Sequence, residues 1–366
     1  MAKAAALQEA GSSVDWSCRR YEAWVRRLRR GAMLWCASGV LGVAVAQVAT
    51  APGAGAATQI GPPTRSVAEW LVRLQQASTT PSFAGTYVTS SSSGALSSAR
   101  IWHLCEGKVQ IERVDVLTGV PRSIFRRDDQ VFTFVPDQRV MQVEQREPGG
   151  VFPNLLGPTG STEAADHYRV QEYGQERVAG LEADVVEFSP NDKLRFGYRV
   201  WSERKTGLVL KTQTLDEGGR VLEQAAFSEV QLDPPAQGVR PYLQLPDTGG
   251  YRSRRIDRVK IDAADQGWVL RPVVAGFEPR ACYRRAVTAA TSGVQWVFSD
   301  GLATVSLFIE PFDARRHGRE GVSASGATHA MSRRWPSAEG SWWITLVGEV
   351  PPQTLKLMVD NLERTK

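Results

Sequence analysis

Residues 196–232 read FGYRVWSERKTGLVLKTQTLDEGGRVLEQAAFSEVQL. Phe196, Tyr198 and Val200 alternate with Gly197, Arg199 and Trp201, the period of two that sends successive side chains to opposite faces of a strand. Lys205-Thr206-Gly207 breaks the pattern, and Leu208 and Leu210 then alternate with Val209 and Lys211. Asp216-Glu217-Gly218-Gly219 supplies the residues that a tight reversal needs before a third run continues to Leu232. The stretch predicts a three-stranded antiparallel meander. The pattern leaves open which face is the inner one, and nothing in it has the look of an active site.

The same alternation extends upstream. Runs at 83–89, 99–105, 108–117, 123–126, 130–135, 139–146, 168–176 and 181–188 are separated by turn chemistry, and 149–160, with Pro153 and Pro158, interrupts them as a loop. Ahead of them Val67, Trp70, Leu71 and Leu74 fall at i, i+3, i+4 and i+7, a helix with one apolar face and Thr64 or Ser66 as its N-cap. Downstream, Asp233-Pro234-Pro235 and the polar, Pro/Gly-punctuated 241–250 mark a domain boundary. A smaller unit follows, with strands at 267–274, 281–287, 294–298, 303–310 and 341–348. A closing helix begins at Pro351-Pro352 and lines up Leu355, Met358, Val359 and Leu362. The expected organisation is a leader at 1–57, a first domain at 58–235, a linker at 236–262 and a second domain at 263–366. Within the last, the Arg-, Gly- and Ser-rich 311–340 has little apolar pattern and is expected as a flexible insertion.

Composition narrows the function. Of a formal net charge of +5 over 366 residues, the first 57 carry +4, so the remainder is nearly neutral and no nucleic-acid backbone binder is expected. Arg26, Arg27, Arg29 and Arg30 followed by the uncharged apolar 32–48 form an export signal, cleavable at 44–46 or 54–56, or else an uncleaved anchor. The length ahead of those arginines leaves room for a start downstream of Met1.

No catalytic motif is present: there is no H-E-x-x-H, C-x-x-C, G-x-S-x-G or P-loop, and the 4 histidines form no recognisable ligand cluster. His103 and Cys105 share a strand face, which is two potential ligands without a third. The reading is therefore a non-enzyme without metal or cofactor. Cys18 and Cys36 belong to the leader, and Cys105 and Cys282 are the candidate disulfide, left open because its geometric demands are strict. Trp102, Phe132, Phe134, Phe188, Phe196, Tyr198 and Trp201 are either core or the lining of an apolar groove. Residues 240–285 hold 10 Lys/Arg against 5 Asp/Glu. Arg252, Arg254, Arg255, Arg258 and Lys260 there are a candidate patch for lipid phosphates or an acidic partner, or a solvated linker.

SFAGTYV at 82–88, ARIWHLCEGKVQIERV at 99–114, FGYRVWSERKTGLVLKTQTLD at 196–216, VFSDGLATVSLFIE at 297–310 and ITLVGEVPPQTLKLMVDNL at 344–362 together resemble the MucB/RseB family of sigma-E regulatory proteins. The ordered set carries the resemblance; no single motif does. It implies an α+β, mainly antiparallel fold, in which a large unclosed β-barrel of LolA/LolB type with covering helices is flexibly linked to a smaller α+β domain. It also implies a periplasmic negative regulator of the envelope stress response. Such a protein binds the periplasmic part of an RseA/MucA-type anti-sigma factor, shields it from proteolysis and lets go on binding lipopolysaccharide or another acylated lipid. A homo-oligomer is left open. The alternative is a periplasmic lipid or lipoprotein carrier of LolA type. The long leader, Cys105 within a strand and the length of 311–340 depart from the family pattern.

Overall fold

The structure, a computed structural model, describes residues 64–79, 82–106, 109–145, 162–256, 258–287, 291–337 and 340–365. The expected leader with its cleavage sites and the loop at 149–160 lie outside the described residues. Helix α1 (Val67–Thr79) opens with a capping box in which the Ser66 N–H donates to Glu69 Oε2 (2.7 Å) and the Glu69 N–H to Ser66 Oγ (3.3 Å). Of the two N-cap candidates, Ser66 takes the position.

Among the described residues, eleven strands follow in two meanders. The first comprises β1 (Phe83–Ser91), β2 (Leu96–Glu106), β3 (Val109–Val116), β4 (Arg122–Arg127), β5 (Gln130–Val135) and β6 (Val140–Gln145). The second comprises β7 (Tyr168–Val178), β8 (Leu181–Pro190), β9 (Gly197–Glu203), β10 (Val209–Leu215) and β11 (Val221–Leu232). The last strand of residues 196–232 is the seam, because β11 pairs antiparallel with β1 from Phe83↔Leu232 to Ser91↔Glu223 across one bulge. With β12 (Arg252–Ile256) running parallel to β6, the order is β12-β6-β5-β4-β3-β2-β1-β11-β10-β9-β8-β7. Both ends are edges, so the sheet is the unclosed barrel that the family resemblance implied.

Residues 196–232 also position the helix. Glu203 accepts hydrogen bonds from the Lys205 N–H (3.0 Å) and the Thr206 N–H (2.6 Å), which folds the β9–β10 turn. Gly207 sits at φ +82°, where a Cβ would lie 3.1 Å from Ala77 and 3.2 Å from Arg73 of α1. Arg73 reaches over the turn to the carbonyls of Glu203 (3.0 Å) and Arg204 (2.7 Å). The apolar face of α1, Val67, Trp70, Leu71 and Leu74, is thereby laid on Val186, Phe188, Tyr198, Val200 and Val209. Burying Trp70 and Leu71 almost completely contributes roughly 1.5–3 kcal/mol each. A second core joins Phe83, Tyr87, Ile101, Val114, Ile124 and Val131 to Val185, Trp201, Leu208 and Leu210.

The expected linker 236–262 is largely regular: α2 (Ala236–Val239), a 3-10 turn (Arg240–Leu243), then β12 and β13 (Val259–Lys260). It passes from one edge of the first sheet to an edge of the second, which is ordered β13-β15-β16-β17-β20-β19-β18. Those strands are β15 (Glu278–Ala286), β16 (Ser292–Ser299), β17 (Thr304–Pro311), β18 (Gly321–Ser325), β19 (Thr328–Ser337) and β20 (Gly340–Gly348). Helix α3 (Pro352–Asp360) packs Leu355, Met358 and Val359 into a core with Trp268, Phe277, Phe298, Leu307 and Ile344. Beside it β14 (Trp268–Leu270) pairs with β21 (Leu362–Arg364).

One expectation is corrected. In place of a flexible insertion at 311–340, β18 and β19 form a hairpin that pairs with β20 from His329↔Gly348 to Ser337↔Gly340. Its strands read as a loop because Arg333 and Arg334 interrupt the alternation and Gly321, Ser323, Ser325, Gly326, Ser332 and Ser337 dilute the apolar signal.

Candidate functional site

The seven aromatic candidates do not line one groove. Phe188 and Tyr198 lie under α1 in one cluster, and Trp201 belongs to the second core, its indole N–H donating to Glu176 (2.8 Å). Trp102 stacks on Tyr242 of the linker at 4.9 Å, between Arg100 and Arg113. Phe132 and Phe134 share a third cluster, where Phe134 meets Tyr251 edge-on at 5.4 Å. Phe196, just ahead of β9, faces His329 of the second domain at 5.8 Å. Linker residues thus seal two of these groups.

The basic candidates divide as well. Arg252, Arg254, Arg255 and Lys260 are exposed along β12 and β13. Arg258 instead turns in to Glu144 (3.2 Å), which is 3% exposed. Glu144 belongs to a row of buried charged positions that crosses the first sheet on one face, His103↔Glu112↔Arg126 and, beyond Val131, Glu144 itself. Cys105 and Cys282 both stand as thiols in the structure, with no disulfide between them. Cys105 packs against His103 in the first sheet while Cys282 is part of the second domain's core. Among the described residues no cluster of three or more His, Cys, Asp or Glu could hold a metal.

The most developed polar site joins the two domains. In the β8–β9 loop, Arg195 has a side chain fully withdrawn from solvent; it donates through Nε to Asp300 Oδ2 (2.7 Å) and through Nη2 to the Ala275 carbonyl (2.8 Å), pairs with Asp192, and lies over Phe277 (5.1 Å). Asp300 occupies the β16–β17 turn, where its Oδ1 accepts the N–H groups of Leu302 (2.9 Å) and Ala303 (2.7 Å). The Tyr168 hydroxyl completes the carboxylate at 3.3 Å. Burial and the Asp300 charge hold the Tyr168 phenol well above its ordinary range, so it remains a donor in alkaline solution. Gly276, at φ +79°, lets the second domain approach, since a Cβ there would lie 2.6 Å from Arg195 Nη2. The exchange of leucines is reciprocal: Leu302 enters the cluster under α1, and Leu194 packs on the second domain's core. Thr354 Oγ1 donates to the Leu194 carbonyl (2.6 Å), tying α3 to the same loop.

The turn carrying Asp300 was legible as Ser-Asp-Gly, whereas Arg195 carries no sequence signal that separates it from a solvated loop arginine. The site offers a fixed docking of two domains and no nucleophile, acid or base open to a substrate.

Family models match the chain twice in order: the MucB/RseB N-terminal domain over residues 66–245 and the MucB/RseB C-terminal domain over 262–363. The chain belongs to the MucB/RseB family. Among its relatives, the sigma factor AlgU regulatory protein MucB of Pseudomonas aeruginosa is 29% identical over 293 residues, which is 77% of this chain and 86% of that one. The sigma-E factor regulatory protein RseB of Haemophilus influenzae is 22% identical over 277 residues, 73% and 82% of the two chains. The crystal structure of MucB in complex with MucA(peri) superposes with a TM-score of 0.62 at 27% identity, over 81% of this chain and 98% of that one. The family is one of sigma factor regulators, not of enzymes. The two matched segments leave 246–261 between them and include Arg195 and Asp300 respectively.

Proposed function

We propose that this protein acts in the periplasm as a negative regulator of a sigma-E-type envelope stress response. It binds the periplasmic segment of a membrane-spanning RseA/MucA-type anti-sigma factor and shields it from regulated proteolysis; lipopolysaccharide or another acylated lipid in the first domain weakens that hold. The observation that carries this reading is the likeness, over both domains in order, to a MucB that forms a complex with MucA(peri). The physical basis of release is linkage: a lipid that favours one arrangement of domains and linker lowers affinity for a partner that favours another. Tyr242 on Trp102 and Tyr251 on Phe134 support this coupling, because an acyl chain reaching either ring has to displace linker residues. The exposed arginines of β12, together with Lys260, suit an acidic segment or lipid phosphates. The test is titration calorimetry of the exported protein with the periplasmic segment of an RseA/MucA-type anti-sigma factor from the same organism, with and without lipopolysaccharide. Binding that lipopolysaccharide weakens is expected; absence of binding, with an acyl probe still bound, overturns the regulatory reading in favour of a carrier.

A further inference from the structure

On the first sheet, three buried or half-buried groups meet in a line. Cys105 and His103 lie two residues apart on β2 and therefore on one face, and Sγ is 3.1 Å from His103 Nε2. The antiparallel register places Glu112 of β3 directly opposite His103, with its Oε2 3.5 Å from Nδ1. The imidazole is stacked on Phe83 of β1 at 5.1 Å, so its plane is fixed from the other side. The Cys105 N–H is held by Ser82 Oγ (3.1 Å). His103 and Glu112 are 2% and 3% exposed, whereas Cys105 is only partly buried.

We propose that Cys105 is a reactive thiol that forms a mixed disulfide with low-molecular-weight disulfides, with His103 as the acid–base group at its sulfur and Glu112 as the positioning residue. A nucleophile within hydrogen-bond reach of a base that a third group orients is the arrangement that activates serine and cysteine nucleophiles on unrelated folds. Glu112 and Cys105 occupy opposite nitrogens of the ring, so the three groups converge on no common point where a metal could sit. Burial pulls the His103 pKa down, but the Cys105 hydrogen bond and the hydrogen bond and charge of Glu112 outweigh it and raise it to about 9. The ring thus carries a proton at neutral pH and presents positive charge to the sulfur. Arg126, opposite Glu112 on β4, is the next charged position in the row.

The step balances without an outside electron source. Cys105 reacts as the thiolate whose proton the His103 ring carries: Sγ attacks one sulfur of a disulfide RSSR, the Sγ–S bond forms as the S–S bond breaks, and the leaving thiolate takes that proton from the ring to depart as RSH. Cys105 is oxidised to the disulfide level and one half of the reagent is reduced.

The second thiol in the described residues is an internal control. Cys282 sits in the second domain's core, and burial followed by the charge of Asp262 pushes its thiol up to about 11. The experiment treats the native chain with oxidised glutathione at pH 7 and maps the peptides by mass spectrometry, which also separates Cys18 and Cys36. Modification of Cys105 well ahead of Cys282 is expected; an unmodified Cys105, or one no faster than Cys282, overturns the proposal. His103→Gln, shown folded by circular dichroism, should slow the reaction at Cys105 by at least about tenfold. In Glu112→Gln the inflection in the pH–rate profile should move to lower pH, whereas a merely structural role would slow the rate and leave the inflection in place. Should either variant fail to fold, the contest between Cys105 and Cys282 in the native chain still decides.

Discussion

The cluster at Arg195 and Asp300 and the cluster at His103 and Glu112 use the same ingredients, a buried carboxylate facing a buried cation, and hold them differently. Asp300 receives two backbone N–H groups, a phenol and a guanidinium, contributed by both domains. Arg195 in turn meets Asp192, a carbonyl and an aromatic face. At 3.5 Å the Glu112 contact to His103 is looser, and the far side of the ring is given to a sulfur. A buried ion pair whose remaining hydrogen-bonding capacity is met by fixed dipoles locks geometry. One that spends its second ring nitrogen on a thiol keeps a proton within reach of a nucleophile. The difference teaches that burial alone does not separate a structural polar cluster from a chemical one; what occupies the remaining valences does.

The largest effect is expected at the domain interface. Asp300→Ala strands the Arg195 charge in the protein interior and also frees the Leu302 and Ala303 N–H groups, a loss on the order of 3–5 kcal/mol by denaturant titration. Asp300→Asn keeps an acceptor for those backbone groups, and combining it with Arg195→Met should recover much of the loss, since no uncompensated charge remains. A double variant as unstable as Asp300→Ala would show that the carboxylate matters mainly to its turn.

The other cluster should show itself through pH. The folded value for His103, about 9, is above its ordinary 6.5, so its contribution is fully present below about pH 6.5 and is lost as pH rises through 9. Over that window the native protein should lose on the order of 3 kcal/mol. His103→Gln should flatten the curve there. A native curve that is itself flat between pH 6.5 and 9 would mean that the ring is neutral in the fold.

What the sequence disclosed and what it hid follow from the range of each signal. Strand alternation and the stripe on α1 are local, so both meanders and both long helices are readable from residues a few places apart. The seam between β11 and β1 joins residues 83 and 232, and no local pattern encodes that pairing. Face assignment fails for the same reason. Trp102 and Phe134 look like groove aromatics until Tyr242 and Tyr251, more than a hundred residues away, are seen to cover them. His103 and Cys105 could be put on one face from their spacing, whereas Glu112 needed the β2–β3 register. Arg195 and Asp300, 105 residues apart, each look like ordinary turn residues until the domains meet.

The smallest effect is expected on the solvent side. Ser66 and Glu69 form a polar cluster as closely bonded as either buried one, with contacts of 2.7 Å from the Ser66 N–H to the carboxylate and 3.3 Å back to Ser66 Oγ. The Ser66 backbone and side-chain hydrogen bonds hold the Glu69 carboxyl below its usual range. Both residues are exposed, so water can replace every bond that a mutation removes, and the helix keeps its apolar anchors Trp70 and Leu71. Ser66→Ala should therefore lower the melting temperature by only about 2–4 °C, the usual consequence of losing an exposed N-cap in a domain of this size. A drop comparable to that of Asp300→Ala would show that α1 is held on the sheet by its first turn rather than by its buried face, and that a solvated polar cluster can weigh as much as a buried one.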